Sequence, residues 1–286
     1  MANIKIQSPL VSVQWLAENL HAKNLVILDA SMKPIVAAGN DIPQEEPSCI
    51  PGARRFDFDD HICDKSSGLP HMMPPAEFFT EEMQKLGISK ESVIVVYDKV
   101  GVYSSPRAWW MFRAMGHTQV AVLDGGLPAW KNAGHPCGAE AESIAKMRGD
   151  FVSHPQEGMF CDSVQVLKAL SDPASKVLDA RSEGRFKGTE PEPRAGLRSG
   201  HMPNSVNLPY ANLVVDGFVL APESLKSIFA KQVEQNQQLI FSCGSGVTAC
   251  VDALAAELAG YKNLSIYDGS WSEWGLESSG LPVTKE

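Results

Sequence analysis

The stretch QLIFSCGSGVTAC, residues 238–250, joins a short apolar run to a cysteine, a glycine-rich turn and the start of an alanine-rich segment. A run of this length before a turn is typical of a central strand of a parallel sheet, buried on both faces. Residues 247–259 are rich in Ala and Leu and are followed by Gly260, which predicts a helix. Ligands bind at the carboxyl ends of strands in open α/β sheets, so we expect Cys243 to lie at a binding edge.

The same landmarks occur in the first half of the chain, 144 to 152 residues earlier. The strand-like run VIVVY at residues 93–97 ends at Asp98, where the later copy has Cys243, and helix-like residues 106–115 follow. Further pairs in the same order are LVILDA at 25–30 with KVLDA at 176–180, Pro51 with Pro203, Asp124 with Asp268, and Trp130 with Trp274. This order predicts a duplicated α/β domain, each copy a mainly parallel central sheet flanked by helices. We expect a non-catalytic N-terminal domain over residues 1–140, a linker over 141–158 and a catalytic C-terminal domain over 159–286.

The composition of the chain excludes several classes of function. Its 286 residues carry 25 basic and 34 acidic side chains, a net charge of −9, and so acidic a surface repels the phosphates of nucleic acids. No apolar run approaches the roughly 18 residues that cross a bilayer, and the N-terminus lacks a signal-peptide pattern, so we expect a cytoplasmic protein without membrane contact. The six cysteines form no close pair, which favours reduced thiols and argues against a metal site.

The loop after Cys243 has the composition of an anion-binding turn. Gly244 and Gly246 allow the chain to curl, because glycine reaches positive φ without a Cβ clash. The backbone N–H groups of Gly244, Gly246, Val247 and Thr248 are then expected to converge on the sulfur at a helix N-terminus, where negative charge is stabilised. The thiolate is the nucleophilic form of cysteine, so Cys243 is the candidate nucleophile. The alternative is that Cys243 is a small buried hydrophobic residue.

The sequence CGSGVT at residues 243–248 resembles the active-site loop of the rhodanese superfamily and, within it, of the 3-mercaptopyruvate sulfurtransferases. The resemblance extends over essentially the whole chain, including DAR at 179–181, GHMP at 200–203 and DGSWSEW at 268–274. It implies that Cys243 takes sulfur from 3-mercaptopyruvate as a persulfide, releases pyruvate, and passes the sulfur to a thiol acceptor such as thioredoxin or to cyanide. The pyruvate enolate must be protonated, and Ser245 is the nearest candidate donor in sequence. We expect no cofactor, and a monomer or weak dimer.

Two arginines, Arg185 and Arg194, flank a segment rich in Pro and Gly. A carboxylate substrate needs a cationic anchor, and the planar fork of Arg engages two oxygens. The resemblance implies that these arginines, in the motifs GRF and EPR, hold the carboxylate and keto oxygen of the substrate. The alternative is a pair of exposed loop arginines bound to Glu190 and Glu192. Arg198, four residues further along the chain, is a weaker candidate to which we assign no role.

The resemblance also implies a histidine and an acid from the first copy. They match His71 and an aspartate in the sequence FDFDD at residues 56–60. Counting back from His71 selects Asp60, whereas aligning the Phe-Asp pattern from its left side selects Asp59. We take Asp60 as the acid of a Ser-His-Asp relay with His71 and Ser245. Without the resemblance, a histidine near prolines is more often a structural residue.

Three other functions fit parts of this pattern. A thiosulfate sulfurtransferase would use the same nucleophile, but members that prefer this dianion resemble CRKGVT, whereas Gly244 and Ser245 are neutral. A rhodanese-like phosphatase has an Arg six residues after the Cys, where this chain has Ala249. A non-catalytic binding module would lack the nucleophile, as the first copy does with Asp98.

Overall fold

The computed structural model of the chain describes residues 3–33, 48–139, 141 and 144–286. The chain divides into two units. Unit 1 comprises Met1–Asp64, Met73–Gln156 and Asp216–Phe218, and unit 2 comprises Lys65–Met72, Glu157–Val215 and Val219–Glu286. The units follow the two halves of the sequence, except that Lys65–Met72 and Asp216–Phe218 belong to the unit of the other half.

Unit 1 contains a five-stranded sheet in the order β1-β5-β4-β2-β3, and its neighbouring strands are all parallel. The strands are β1 (Leu10–Val11), β2 (Leu25–Asp29), β3 (Arg54–Arg55), β4 (Val93–Tyr97) and β5 (Val120–Leu123). The helices are α1 (Val13–Asn19), α2 (Ala76–Lys85), α3 (Ser105–Ala114) and α4 (Gly126–Asn132).

Unit 2 contains a second five-stranded parallel sheet, in the order β6-β12-β11-β7-β8. The strands are β6 (Phe160–Cys161), β7 (Ser175–Asp179), β8 (Val206–Asn207), β11 (Gln238–Ser242) and β12 (Leu264–Tyr267). The helices are α5 (Ser163–Ala169), α6 (Glu183–Lys187), α7 (Pro222–Phe229), α8 (Ala249–Leu258) and α9 (Ser270–Trp274). Between β8 and α7, β9 (Val214–Val215) and β10 (Phe218–Val219) form a separate two-stranded sheet. Short 3-10 helices cover Lys65–Ser67, Tyr210–Asn212 and Glu277–Ser279.

The two sheets have the same topology, which confirms the predicted duplication of an α/β fold. β4 and β11 have the predicted bounds, and the following helices begin within two residues of the predicted positions. Every residue of β4 is buried, as is all of β11 except its first residue. A strand covered by helices on both faces has no polar side, and this is why a continuous apolar run identified both strands.

The carboxyl ends of β7 and β11 meet at one edge of the unit 2 sheet, because Asp179 pairs in register with Ser242. The helix α8 follows the second of these strands, and its first eight residues are all buried. On one side of the sheet, Ile240, Trp271 and Trp274 belong to a single apolar core. The loop at residues 243–248 is therefore anchored at both ends by fully packed elements.

Part of the predicted linker is an ordered component of unit 1. The N–H groups of Ala145 and Gly149 donate to carbonyls of α2, at 3.0 Å from Lys85 and 2.9 Å from Gln84 respectively. The N–H of Phe151 donates to the carbonyl of Ile88 at 3.1 Å, and its ring is buried. Residues 140, 142 and 143 of the predicted boundary lie outside the described residues.

The helices of the described residues are short. None of them is long and apolar enough to cross a bilayer.

Candidate active site

The loop between β11 and α8 carries Cys243, whose side chain is almost fully buried. Two interactions with the start of α9 fix its backbone: Trp271 N–H donates to the Cys243 carbonyl at 3.0 Å, and Ser272 N–H donates to the Gly244 carbonyl at 2.9 Å. The Cys243 N–H in turn donates to Ser270 Oγ at 3.2 Å. Gly246 has φ of +74°, in the left-handed region that favours glycine. The conformation of this loop is thus set by the segment YDGSW as well as by its own glycines.

The loop presents unpaired backbone donors at the N-terminus of α8. The N–H groups of Gly244, Ser245, Val247 and Thr248 have no hydrogen-bond acceptor among the described residues. Unpaired N–H groups at the start of a helix carry partial positive charge and bind anions. The loop is therefore built to stabilise a negative charge beside Cys243.

The matching loop in unit 1 is occupied by its own carboxylate. Asp98 is buried and accepts five hydrogen bonds of 2.8 to 3.1 Å, from the N–H groups of Val100, Tyr103, Ser104 and Ser105 and from Ser105 Oγ. The repeat thus supplies an internal comparison, since the same loop position holds a carboxyl group in unit 1 and a thiol in unit 2.

Ser245 and His71 form a buried hydrogen-bonded pair. The Ser245 Oγ lies 2.9 Å from His71 Nδ1, and both residues are at most 5% exposed. His71 has φ of +63°, a backbone conformation that costs a non-glycine residue free energy and persists only where its surroundings fix it. The structure therefore brings together two of the three residues of the predicted relay.

The two aspartates considered for the third position lie in unit 1. The Asp60 carboxylate is exposed and pairs with the ammonium group of Lys33. The Asp59 carboxylate accepts a hydrogen bond of 3.0 Å from the Lys33 N–H. The assignment of Asp60 to the relay stays a prediction.

Arg185, on α6, belongs to a chain of ion pairs that begins at the edge of the sheet. Its Nη2 and Nε lie 2.6 and 3.3 Å from the two oxygens of Glu192. Glu192 also accepts from Arg181 Nη1 at 2.7 Å, and Arg181 Nη2 lies 2.7 Å from Asp179 at the end of β7. The Arg181 guanidinium is fully buried, 4.0 Å from the centre of the Trp271 ring. The sequence predicts no role for Arg181 and offers Glu192 only as an alternative partner of the loop arginines, although the two residues stand in the motifs DAR and EPR.

The two predicted anchors converge on the loop at Gly244. A Cβ atom placed on Gly244 would lie 3.1 Å from Arg185 Nη2 and 3.7 Å from Arg194 Nη1. The Arg194 guanidinium has no hydrogen bond or ion pair with any described residue. Two guanidinium groups thus lie next to Gly244 in a loop that carries four unpaired backbone donors, an arrangement that suits a small anionic substrate.

Arg198 has a structural role instead. Its guanidinium donates to the carbonyls of Trp274, Gly275 and Leu281 at 2.7 to 3.2 Å and so fastens the end of α9 to the C-terminal segment.

The Rhodanese-like domain family matches the chain twice, at residues 12–133 and 163–277. The chain belongs to the rhodanese family. This tandem rhodanese is similar to 3-mercaptopyruvate sulfurtransferase of Homo sapiens, with 40% identity over 301 residues that cover 100% of this chain and 98% of the relative. It is 41% identical over 275 residues to thiosulfate sulfurtransferase of Rattus norvegicus, covering 93% and 91% of the two chains. The crystal structure of SseA, a 3-mercaptopyruvate sulfotransferase of Escherichia coli, superimposes with a TM-score of 0.80 and 34% identity over 93% of this chain and 100% of that one.

The rhodanese domain of unit 2 also buries a carboxyl group that the sequence analysis did not single out. Asp252, on α8, is fully buried, and neither of its oxygens has a hydrogen-bond partner among the described residues. Burial raises its pKa well above the usual range, and the nearby Cys243 and Asp179 raise it further. The folded rhodanese therefore favours the protonated, neutral form of Asp252 more strongly than water does.

This burial predicts a pH dependence of stability. In the unfolded chain Asp252 ionises near pH 4, whereas the folded rhodanese retains the proton, so stability falls as pH rises from about 4 to the raised pKa of the folded state. The slope is at most about 1.4 kcal/mol per pH unit for one proton. An Asp252→Asn variant removes this loss, and its thermal midpoint is expected to rise relative to wild type as the pH increases above about 4.

The matched control is Glu257→Gln, which makes the same change of carboxyl to amide further along α8, where the side chain is only half-buried. Its midpoint is expected to follow that of wild type across this range. Parallel curves of thermal midpoint against pH for Asp252→Asn and wild type would contradict a buried acid whose neutral form is favoured.

Among the described residues of this rhodanese, no group of His, Cys, Asp and Glu side chains has the arrangement of a metal site.

Proposed function

We propose that the chain is a sulfurtransferase that moves sulfur from 3-mercaptopyruvate through a persulfide on Cys243 to a thiol or to cyanide, releasing pyruvate. The observation that carries this proposal is the convergence of Arg185 and Arg194 on Gly244, next to a buried cysteine in a loop with unpaired N–H groups. This geometry offers a nucleophile, an anchor for a carboxylate and stabilisation of a sulfur anion within one site. The similarity to named mercaptopyruvate sulfurtransferases supports the same activity.

In the first step the Cys243 thiolate attacks the thiol sulfur of 3-mercaptopyruvate. A sulfur–sulfur bond forms, the carbon–sulfur bond of the substrate breaks, and its electron pair passes to carbon as the enolate of pyruvate. Ser245 donates a proton to the enolate carbon and regains one from the medium through its hydrogen bond with His71. The thiol proton of the substrate remains on the outer sulfur of the persulfide, and its loss to the medium balances the proton that the enolate gains.

The arginines act on the substrate rather than on the cysteine. Arg185 and Arg194 bind the carboxylate and the keto oxygen, which orients the thiol sulfur toward Cys243. Negative charge grows on the keto oxygen as the enolate forms, so a guanidinium held there stabilises the transition state more than the bound substrate.

The loop and the acceptor complete the cycle. The unpaired N–H groups of Gly244, Ser245, Val247 and Thr248 stabilise the charge that moves from the thiolate to the outer sulfur of the persulfide. An acceptor thiolate, such as that of thioredoxin, or cyanide then attacks the outer sulfur. The sulfur–sulfur bond breaks, and its electron pair regenerates the Cys243 thiolate.

Thiosulfate is the second candidate donor, and the 41% identity to a rat thiosulfate sulfurtransferase favours it. The composition of the loop favours 3-mercaptopyruvate as the donor. A side chain at position 244 would meet the guanidinium of Arg185, so glycine keeps open the space in which a carboxylate can reach both arginines. The neutral Gly244 and Ser245 also add no cation beside the sulfur for a dianion.

A comparison of the two donors tests the proposal. We expect kcat/KM for 3-mercaptopyruvate to exceed that for thiosulfate by tenfold or more, about 1.4 kcal/mol of transition-state preference, with cyanide and with thioredoxin as acceptors. Pyruvate release and thiocyanate formation measure the two reactions in the same preparation. A tenfold preference for thiosulfate would instead assign the chain to the second activity.

The remaining proposals concern the setting of the enzyme. We propose that residues 159–286 form the catalytic domain, that residues 1–140 form a non-catalytic domain, and that residues 141–158 link them. The reason is that in the first copy the side chain of Asp98 binds the loop donors.

We further propose that the protein is a monomer or weak dimer in the cytoplasm. The six cysteines all lie among the described residues and form no disulfide, which suits a reducing compartment. Light scattering during size exclusion tests the oligomeric state, and cell fractionation tests the location.

A further inference from the structure

Glu192 is a buried carboxylate held between two guanidinium groups. Its side chain is 2% exposed, with one oxygen 2.7 Å from Arg181 Nη1 and the other 2.6 Å from Arg185 Nη2. Arg181 is itself fully buried and bound to Asp179 at the end of a central strand. Glu192 thus connects the guanidinium of Arg185 to the carboxyl end of β7 through Arg181.

The contact leaves one edge of Arg185 available. Glu192 binds the side of the guanidinium formed by Nε and Nη2, and Nη1 has no acceptor among the described residues. The nearest atom to a Cβ built on Gly244 is Nη2, at 3.1 Å, with Nη1 at 4.0 Å. The outer edge, formed by the two Nη atoms, therefore faces the loop while Glu192 prevents the group from rotating away.

Glu192 also sets the charge beside the nucleophile. We define the arginine cluster as Arg181, Arg185, Arg194, Asp179 and Glu192, whose three guanidinium groups and two carboxylates leave one net positive charge. 3-Mercaptopyruvate carries a single carboxylate charge, whereas thiosulfate carries two negative charges. An added positive charge attracts a dianion about twice as strongly as a monoanion at the same distance.

We propose that Glu192 is a specificity-determining residue, which holds Arg185 in place for an α-keto carboxylate and limits the positive charge that would favour a dianionic sulfur donor. The inference rests on the proposed function and extends it to the choice of donor. Glu192 contacts no reacting atom in this scheme, and it acts through the position of Arg185 and through its own charge.

The test compares three variants with wild type, using 3-mercaptopyruvate and thiosulfate as donors and cyanide as acceptor. Glu192→Gln removes the charge and one acceptor, and Glu192→Asp keeps the charge but shortens the reach to Arg185. Glu190→Gln is the matched control, because Glu190 lies two residues away in the same loop, is exposed, and contacts neither arginine in the hydrogen bonds described. The thermal midpoint of each variant reports whether it is folded.

Glu192→Gln is expected to raise KM for 3-mercaptopyruvate, to raise kcat/KM for thiosulfate, and so to lower the ratio of the two by about tenfold or more. The gain for thiosulfate is expected to shrink at high salt, because it is electrostatic. Glu192→Asp is expected to raise KM for 3-mercaptopyruvate without any gain for thiosulfate, and Glu190→Gln to leave the ratio unchanged.

Equal losses with both donors in folded Glu192→Gln would overturn the inference, as would a ratio that stays at the wild-type value. If Glu192→Gln does not fold, Glu192→Asp decides, since equal changes for both donors again contradict a role in specificity. A wild-type enzyme that itself prefers thiosulfate would overturn the proposed function instead, so the two failures are distinguishable.

Discussion

A Cys243→Ser variant is expected to lose sulfur transfer from both 3-mercaptopyruvate and thiosulfate, by about a thousandfold or more. The reaction needs a thiolate that can form and later break a bond to sulfur, and a serine hydroxyl remains protonated and cannot hold a persulfide. Pyruvate release measures the loss. Incubation with 3-mercaptopyruvate without an acceptor, followed by intact-mass analysis, should show one added sulfur atom on the wild-type chain and none on the variant.

Cys137→Ser is the matched control for this prediction. Cys137 is exposed in unit 1, whereas Cys243 is buried, so an assay that merely detected the most accessible thiol would respond to Cys137. The control is expected to keep both pyruvate release and the added sulfur. Undiminished turnover by Cys243→Ser would refute the persulfide mechanism at this residue.

The sequence was sufficient to predict the fold and to place Cys243 at the end of a central strand, because both depend on short patterns. Strands β4 and β11 are continuous apolar runs that end in a turn, and their bounds are confirmed. The position of Cys243 after such a strand follows from the direction of parallel strands, which all deliver their carboxyl ends to one edge. Such patterns are visible in the sequence because a strand that is buried on both faces of the sheet needs apolar side chains along its whole length.

The contacts around Cys243 could not be predicted from short sequence patterns. From the sequence, pairing with Glu192 and a role in substrate binding are alternatives for Arg185, whereas in the structure Arg185 is bound to Glu192 and also lies close to Gly244. An ion pair formed across a loop depends on the path of that loop. A loop has no repeating sequence pattern from which its path could be predicted. Asp252 was missed for a related reason, since nothing in a helical sequence marks one polar residue as lacking a partner.

The loop of the first copy differs from that of the second in having Asp98 at the position of Cys243. Asp98 accepts five hydrogen bonds from the same kind of turn that surrounds Cys243, so the carboxylate satisfies the donors permanently. Sequence comparison of the copies identified the exchange of Asp for Cys, but the structure adds its consequence. In unit 1 the side chain of Asp98 satisfies the loop donors, whereas in unit 2 the N–H groups of Gly244, Ser245, Val247 and Thr248 have no acceptor among the described residues.

An Arg185→Gly variant is expected to lower kcat/KM for 3-mercaptopyruvate by roughly 100-fold, and that for thiosulfate by less than tenfold. Hydrogen bonds to charged groups contribute about 1.5–3 kcal/mol each, and the upper value corresponds to this loss. The carboxylate and keto oxygen of 3-mercaptopyruvate depend on the planar fork of Arg185, whereas the rounder thiosulfate can still use Arg194 and the loop N–H groups. The variant is expected to fold, because Glu192 remains paired with Arg181 at 2.7 Å.

Lys187→Ala serves as the control, since it removes another cation of α6 that pairs with the exposed Glu183 at 2.7 Å. It should leave both donors nearly unaffected, because a screened surface charge contributes little. The decisive quantity is the ratio of the loss in kcat/KM for 3-mercaptopyruvate to the loss for thiosulfate in Arg185→Gly. A general loss of positive potential would reduce turnover of the dianion more than that of the monoanion, whereas loss of a specific carboxylate anchor reduces turnover of 3-mercaptopyruvate more. A larger loss for thiosulfate would therefore show that Arg185 acts only as a charge.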